Sequence, residues 1–256
     1  MTTEGALTGH RLVVTRAVDQ AAPLADALID QGAEVVLLPM VAIVDPTDGG
    51  AALAAAAARL GDYDRIVVTS PNGARRLLDI AGNLPVADWP PVAAIGPATA
   101  GPLQAAGAPV DLVPGEAVAE SLLNALPDPP DDGGRLLLVR AESAREILPA
   151  GLVAAGWDLE VVAAYRNVEP AVEGPVLAEA RTAEAVTFTA ASAVRRYHDL
   201  AGGPRPVDAL CIGPVSGGLA RNLGFRVAEA NPHSVSGLVE AACRWAGSRG
   251  GFRRLS

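Results

Sequence analysis

Arg11-Leu-Val-Val-Thr-Arg16 returns 124 residues later as Arg135-Leu-Leu-Leu-Val-Arg140, and the match runs without a gap to Val44 and Val168, carrying Gly32 onto Gly156. A second unit, Val67-Val-Thr-Ser-Pro-Asn-Gly-Ala-Arg-Arg76, returns as Thr187-Phe-Thr-Ala-Ala-Ser-Ala-Val-Arg-Arg196, and Ile95-Gly-Pro97 returns as Ile212-Gly-Pro214. The two units alternate along the chain. Such an interleaved duplication predicts two similar domains, with a ligand cleft lined by their equivalent loops.

Within each unit, short continuous apolar runs alternate with amphipathic segments. Arg11 to Thr15 reads as a strand, Gln20 to Gln31 as a helix closed by Gly32, and Val35 onward as a second strand. The second unit adds strands at Arg65 to Thr69, Val92 to Ile95 and Val110 to Val113. Helices are expected from Pro71, from Pro97 and over Ala117 to Leu126. Uninterrupted apolar strands between helices predict parallel sheets covered on both faces. The fold class is therefore α/β, with two doubly wound, flavodoxin/Rossmann-like domains of five strands each. Val35 to Val44 and Leu159 to Val168 are each about 33 Å if extended at about 3.3 Å per residue, long for one strand of a small domain. Each reads as a strand that continues as a connector into the other domain. A simple tandem divided at the Pro127-Asp-Pro-Pro-Asp-Asp-Gly-Gly134 loop fits the periodicity as well.

The chain of 256 residues carries a net charge of −9, and all twenty of its basic residues are arginine. Without lysine there is no Schiff base, no pyridoxal phosphate attachment and no Walker A amine. An acidic chain without a basic stripe argues against nucleic acid as a ligand. No apolar run is long enough to span a membrane and the first residues do not read as a leader, so the expectation is a cytoplasmic protein. Cys211 and Cys243 have no metal-site spacing and read as core thiols. His10, His198 and His233 are scattered. No dinucleotide, HExxH, GxSxG or paired CxxC signature occurs, so the expectation is no cofactor and no metal. The loops Asn83 to Pro91 and Ala201 to Asp208 read as solvated, and Gly247 to Ser256 as a frayed tail.

Candidate site residues gather where strands give way to helices. Thr69-Ser70-Pro71-Asn72-Gly73, Gly96-Pro97-Ala98-Thr99 and Gly213-Pro214-Val215-Ser216 each put a small or hydroxyl residue at a helix N-cap and proline at the first helical position. Such ends offer free N–H groups to anions, and parallel strands collect them along one sheet edge. Arg16 and Arg140 end the two equivalent first strands, where each could clamp a carboxylate or make a structural ion pair. Ser192 and Ser216 could cap helices or meet ligand. Tyr165, beside Arg166 and Asn167, falls in the second connector.

Val-Val-Thr-Ser-Pro-Asn-Gly at 67 to 73, Ala-Ile-Gly-Pro at 94 to 97, Ala-Ala-Tyr-Arg at 163 to 166, Thr-Phe-Thr-Ala-Ala-Ser-Ala-Val at 187 to 194 and Cys-Ile-Gly-Pro at 211 to 214 together resemble uroporphyrinogen-III synthases. The resemblance implies two domains joined by a two-stranded connector. Domain 1 would comprise positions 1–40 and 169–256 and domain 2 positions 46–164, with connectors at 41–45 and 165–168. It implies cyclisation of hydroxymethylbilane to uroporphyrinogen III in tetrapyrrole biosynthesis, without metal or organic cofactor. The terminal hydroxyl leaves to give an azafulvene, ring D is inverted through a spiro intermediate, and the macrocycle closes. It further implies a monomer that receives its substrate from hydroxymethylbilane synthase. Tyr165 matches the tyrosine proposed in the family to assist loss of the hydroxyl. Ser70, Ser192, Gly213 and Ser216 match positions near substrate, and Arg16, Asn72, Gly96 and Arg140 complete the expected binding set. Ala190 stands where many members have serine, so its backbone N–H alone could serve. A tetrapyrrole-binding or regulatory protein of the same fold is the alternative.

Overall fold

The computed structural model describes residues 5–81, 85–131 and 133–253. The chain opens with β1 (Arg11–Val14), α1 (Val18–Asp30) and β2 (Glu34–Leu37), then β3 (Ala42–Val44), α2 (Ala51–Ala57), β4 (Arg65–Val68) and α3 (Pro71–Ile80). There follow β5 (Val92–Ala94), α4 (Pro97–Ala105), β6 (Val110–Leu112), α5 (Ala119–Ala125), β7 (Arg135–Ala141), α6 (Ile147–Ala154) and β8 (Asp158–Val168). The last part holds α7 (Gly174–Thr182), β9 (Ala185–Phe188), α8 (Ala191–Ala201), β10 (Asp208–Cys211), α9 (Pro214–Asn222), β11 (Arg226–Glu229) and α10 (Val235–Arg253).

The helices form where the apolar spacing is helical. In α1 the buried residues are Ala21, Leu24, Ala25 and Leu28, one stripe at i, i+3, i+4 and i+7. Gly32 closes that helix at φ +90°, a left-handed turn that favours glycine, and Ala33 N–H returns to Leu28 O at 3.1 Å. Its repeat partner Gly156 does the same at φ +96°, with Trp157 N–H donating to Leu152 O at 3.2 Å. The repeated glycines are thus repeated helix stops.

Internal packing divides the chain into two units. One runs up to Ala42 and resumes at Val168, and the other is Ile43–Asn167. The first unit's sheet has the order β11-β10-β9-β1-β2, every neighbouring pair parallel. The second unit's sheet has the order β3-β8-β7-β4-β5-β6, parallel from β8 to β6. Counted from its own first-repeat strand, each sheet is the flavodoxin-type arrangement, whose winding reverses beside that strand. The reversal falls between β1 and β9 in one unit and between β7 and β4 in the other. Apolar clusters cover both faces of both sheets, centred on Phe188 and Tyr197 or Leu24 and Leu28 in the first unit and on Ile66 and Leu77 or Leu136 and Leu138 in the second.

The run from Val35 to Val44 holds two short strands: β2 stops at Leu37 and β3 starts at Ala42, with Pro39 between them. Proline has no N–H for the ladder, although Leu38 and Met40 N–H groups still donate to Val14 O and Thr15 O at 3.0 Å. The second long run is a single strand, β8. The tail is not frayed from Gly247, because α10 continues to Arg253, while 254–256 lie outside the described residues. Asp208, only 5% exposed at the start of β10, explains this. Its carboxylate accepts from Trp245 Nε1 at 3.0 Å and pairs with Arg249 at 2.7 Å and Arg226 at 2.6 Å. In the loop expected at Asn83 to Pro91, 83 and 84 lie outside the described residues, and Val86–Asp88 form one 3-10 turn followed by buried Trp89.

Replacing Asp208 with alanine should cost about 2 to 3 kcal/mol, the value of hydrogen bonds to a charged acceptor whose buried Trp245 donor is then left unpaired. Urea unfolding of the two proteins checks this, with a change under about half a kcal/mol refuting the anchoring role.

Candidate active site

Each unit has a cavity at the point where its sheet reverses direction. In the first unit about 320 Å³ opens at the carboxyl ends of β1 and β9, lined by Thr15, Arg16, Gln20, Thr189, Ala190 and Ser192 among others. In the second unit about 310 Å³ opens at the ends of β7 and β4, and includes Thr69, Arg140, Ser143, Ala144, Tyr165 and Asn167. Crevices at these positions are where doubly wound folds bind ligands.

The repeat makes the two cavities comparable, and their cations differ. Arg140 is buried and engaged: Nη2 donates to Ala144 O at 2.7 Å and to Glu146 Oε1 at 2.8 Å. Arg16 is half-buried, its Nε has no hydrogen-bond partner among the described residues, and its Nη2 reaches Gln20 Oε1 at a long 3.4 Å. Burial lowers its pKa, with the charge of Asp19 opposing. A guanidinium held in this way is a stronger candidate for an incoming carboxylate than one already paired.

The helix ends differ as well. Ser70 is the N-cap of α3 and its Oγ accepts from Gly73 N–H at 3.0 Å, so that hydroxyl is occupied in closing the helix. Its repeat partner Ala190 caps α8 with nearly the same extended backbone, φ −149° and ψ 148°, and no side-chain acceptor. The first N–H groups of α8 therefore face the Arg16 cavity without a cap, with the partial positive charge of a helix start. Ser192 is exposed on the first turn of α8 and lines the same cavity.

Ser192 and Ser216 are not N-caps, a correction to one of their two readings. The caps are Ala190 and Gly213, and Ser216 Oγ donates to Gly213 O at 3.0 Å. Gly96 and Gly213 cap α4 and α9 in fully extended conformations open to any residue. At Gly96 the requirement is space, since a Cβ there would lie 2.7 Å from Ala117 Cβ. At Gly213 the nearest atoms are those of the His233 ring, at an ordinary 3.5 Å. Asn72 Oδ1 accepts from Arg75 Nη1 at 3.1 Å. The structure thus gathers Arg16, Ala190 and Ser192 in one cavity and Arg140 and Tyr165 in the other. Ser70, Asn72, Gly96, Gly213 and Ser216 sit at the same carboxyl edges, outside the lining of these cavities.

Tyr165 is 6% exposed and is brought to its cavity by a break in strand register. Arg140 pairs with Ala163, yet Ala141 pairs with Tyr165, so β8 spends one extra residue there. Such a bulge re-aims a side chain, and Ala164 and Tyr165, adjacent in sequence, both pack into the same core cluster. Glu142 N–H holds the strand beyond it through Tyr165 O at 2.8 Å. Sequence reasoning missed this bulge, which has no glycine to mark it. It also passed over Thr15, whose Oγ1 donates to Thr187 O at 2.7 Å while Thr187 Oγ1 donates to Val13 O at 3.0 Å. Two threonines at matching strand ends are the signal that could have found that pairing. Cys211 is buried with its thiol pushed up to about 12, first by desolvation, and Cys243 is raised for the same reason.

The sequence profile described as "Uroporphyrinogen-III synthase HemD" matches residues 22–240. The uroporphyrinogen-III synthase of Synechococcus elongatus is 30% identical over 95% of this chain and 98% of its own. Among solved structures, a mutant uroporphyrinogen III synthase of the extreme thermophile Thermus thermophilus superposes with a TM-score of 0.61 at 22% identity, covering 94% of this chain and all of that one. The uroporphyrinogen-III synthetase of Helicobacter pylori gives 0.63 at 16% identity, covering 92% and 99%. These two likenesses concern the fold.

The unequal caps generate a reciprocal expectation. Ser70→Ala should lower stability by about 1 kcal/mol, and Ala190→Ser should raise it by about 0.5 to 1 kcal/mol by supplying the missing acceptor. Denaturant titration of both variants reads the signs. A loss of stability in Ala190→Ser would mean that the start of α8 is not open.

Proposed function

The chain belongs to the uroporphyrinogen-III synthase family, and on that premise we propose that it converts hydroxymethylbilane to uroporphyrinogen III, with the Arg16 cavity taking substrate carboxylates. The observation that carries this reading is Arg16, a half-buried guanidinium with an unpartnered Nε beside an uncapped helix start. A substrate with eight carboxylates supplies the missing charge. Backbone N–H groups at the starts of α3, α4, α8 and α9 would hold further carboxylates, so a protein of net charge −9 need not repel a polyanion.

Unaided closure of the bilane gives the uninverted isomer I. The task is therefore chiefly one of shape: carboxylates fixed at several points keep the chain in the curve from which ring D can turn over. Tyr165 is the proposed proton donor. Its hydroxyl can pass a proton to the departing hydroxyl, which leaves as water. The proton later released from the free α-carbon of ring D, when the ring closes, restores the phenol. Arg140, paired with Glu146, is assigned to orienting the segment that lines the Tyr165 cavity, and it would bind substrate only by exchanging that partner. Spontaneous closure also favours a short path from hydroxymethylbilane synthase to this cytoplasmic enzyme, which we take to act as a monomer.

Freshly prepared hydroxymethylbilane should give mainly the type III isomer, with or without chelator. Type I product at the rate of buffer alone would favour a binding protein of the same fold. Arg16→Ala should raise KM by about tenfold, as expected for one charge-assisted contact, and an unchanged KM would remove Arg16 from the site. Tyr165→Phe should lower kcat by roughly ten to a hundredfold with type III still dominant, the lower part of the range for general acids. If kcat holds, Tyr165 serves packing alone.

A further inference from the structure

Arg76 and Arg196 occupy the same position in the two copies of the repeat, each six residues beyond the N-cap of its helix. Arg196, with its side chain 12% exposed, donates from Nη1 to Met40 O at 2.7 Å and from Nη2 to Pro170 O, and lies 3.6 Å from the carboxylate of Glu169. Met40 is where the chain is about to leave the first unit, and Glu169 and Pro170 are where it has just returned. One planar guanidinium thus ties the outgoing and incoming segments together. Arg76 bonds Asp45, just past β3, and the carbonyl of Asp45 accepts from Arg166 Nε at 3.1 Å near the end of β8. The second copy therefore grips the outgoing crossing at Asp45, which Arg166 in turn joins to the incoming one.

The Arg196 and Arg166 contacts satisfy carbonyls that the strand ladders leave over, and that is a sufficient structural reason for them. Their placement on the helices adds more. Ser192 stands four residues before Arg196, so the two share one face of α8, and Ser192 with Ala190 lines the Arg16 cavity. Asn72 stands four residues before Arg76 on α3 in the same way. On α8 the start that lines the cavity and the arginine that grips the crossings belong to one helix.

We infer that Arg196, with Arg76 as its counterpart, is a positioning residue for the cyclisation. It fixes the two chain crossings to the helix starts that receive substrate carboxylates, so the binding groups are arranged before substrate arrives. This rests on reading the Arg16 cavity as a carboxylate site. Preorganisation of this kind is expressed in substrate affinity, because a looser protein must be ordered by the substrate itself.

The test is a double-mutant cycle on the full chain, with steady-state KM and kcat for hydroxymethylbilane and urea unfolding measured together. Arg196→Gln should raise KM by about tenfold, the equivalent of one charge-assisted hydrogen bond, with kcat within about twofold. Arg76→Gln should raise it by about threefold, since its ion pair is more exposed. If both grip the same crossings, the double variant should show no more than the larger single effect, because the arrangement is already lost. Arg196→Lys, which keeps a cation opposite Glu169, should recover part of the KM. Multiplying KM effects would overturn the inference, as would stability losses with KM unchanged. Failure of the cavity reading itself would be visible separately, as an unaltered KM in Arg16→Ala.

Discussion

The parallel pairing of β1 with β9 is the contact on which the rest of the structure depends. It joins Leu12 to Ala185 and Val14 to Thr187, strands from the two ends of the chain, and Thr15 and Thr187 lock it with reciprocal hydroxyl-to-carbonyl bonds. Bringing such distant segments together costs loop-closure entropy before any contact repays it. The cost is tolerable because the intervening chain, Ile43–Asn167, folds as a unit of its own. Once β1 lies against β9, the first sheet must reverse its winding at that seam, and α1 and α8 diverge from it. The crevice that holds Arg16 is a consequence of this topology.

The repeat gives two such crevices, and their side chains differ. The first has a cation with an unpartnered Nε and a helix start without a cap. The second has a cation bonded to Glu146, a helix closed by Ser70, and a phenol turned in by a bulge.

Where the strands begin, acids and arginines are matched. Asp208 holds Arg226 and Arg249, Glu34 holds Arg11, and Glu160 holds Arg59 while accepting from Tyr63 Oη at 2.8 Å. Desolvation and the Glu160 carboxylate push the Tyr63 phenol up to about 12, which keeps that donor protonated. At those edges the charge is spent on stability, as the anchored end of α10 shows.

Much of this was legible in the residues. Apolar runs broken by helical stripes specified parallel doubly wound sheets, because strands covered on both faces have no polar alternation to show. The repeat of Arg11–Val44 at Arg135–Val168 specified two copies, and Gly32 and Gly156 marked their helix stops because few other residues take a positive φ. Ser70 before Pro71 announced a capped helix for the same local reason. What periodicity left open was decided by contacts between distant residues: which copy of the second repeat joins which copy of the first, and that Asp208 holds the last helix through Trp245 and Arg249. The unpartnered Nε of Arg16, the occupied guanidinium of Arg140 and the register slip beneath Tyr165 belong to this group as well. Each depends on how side chains meet across strands and turns that sequence order does not bring together, so the kinds of residue at the site could be read from the chain, and which of them stand free to act could be read only from the fold.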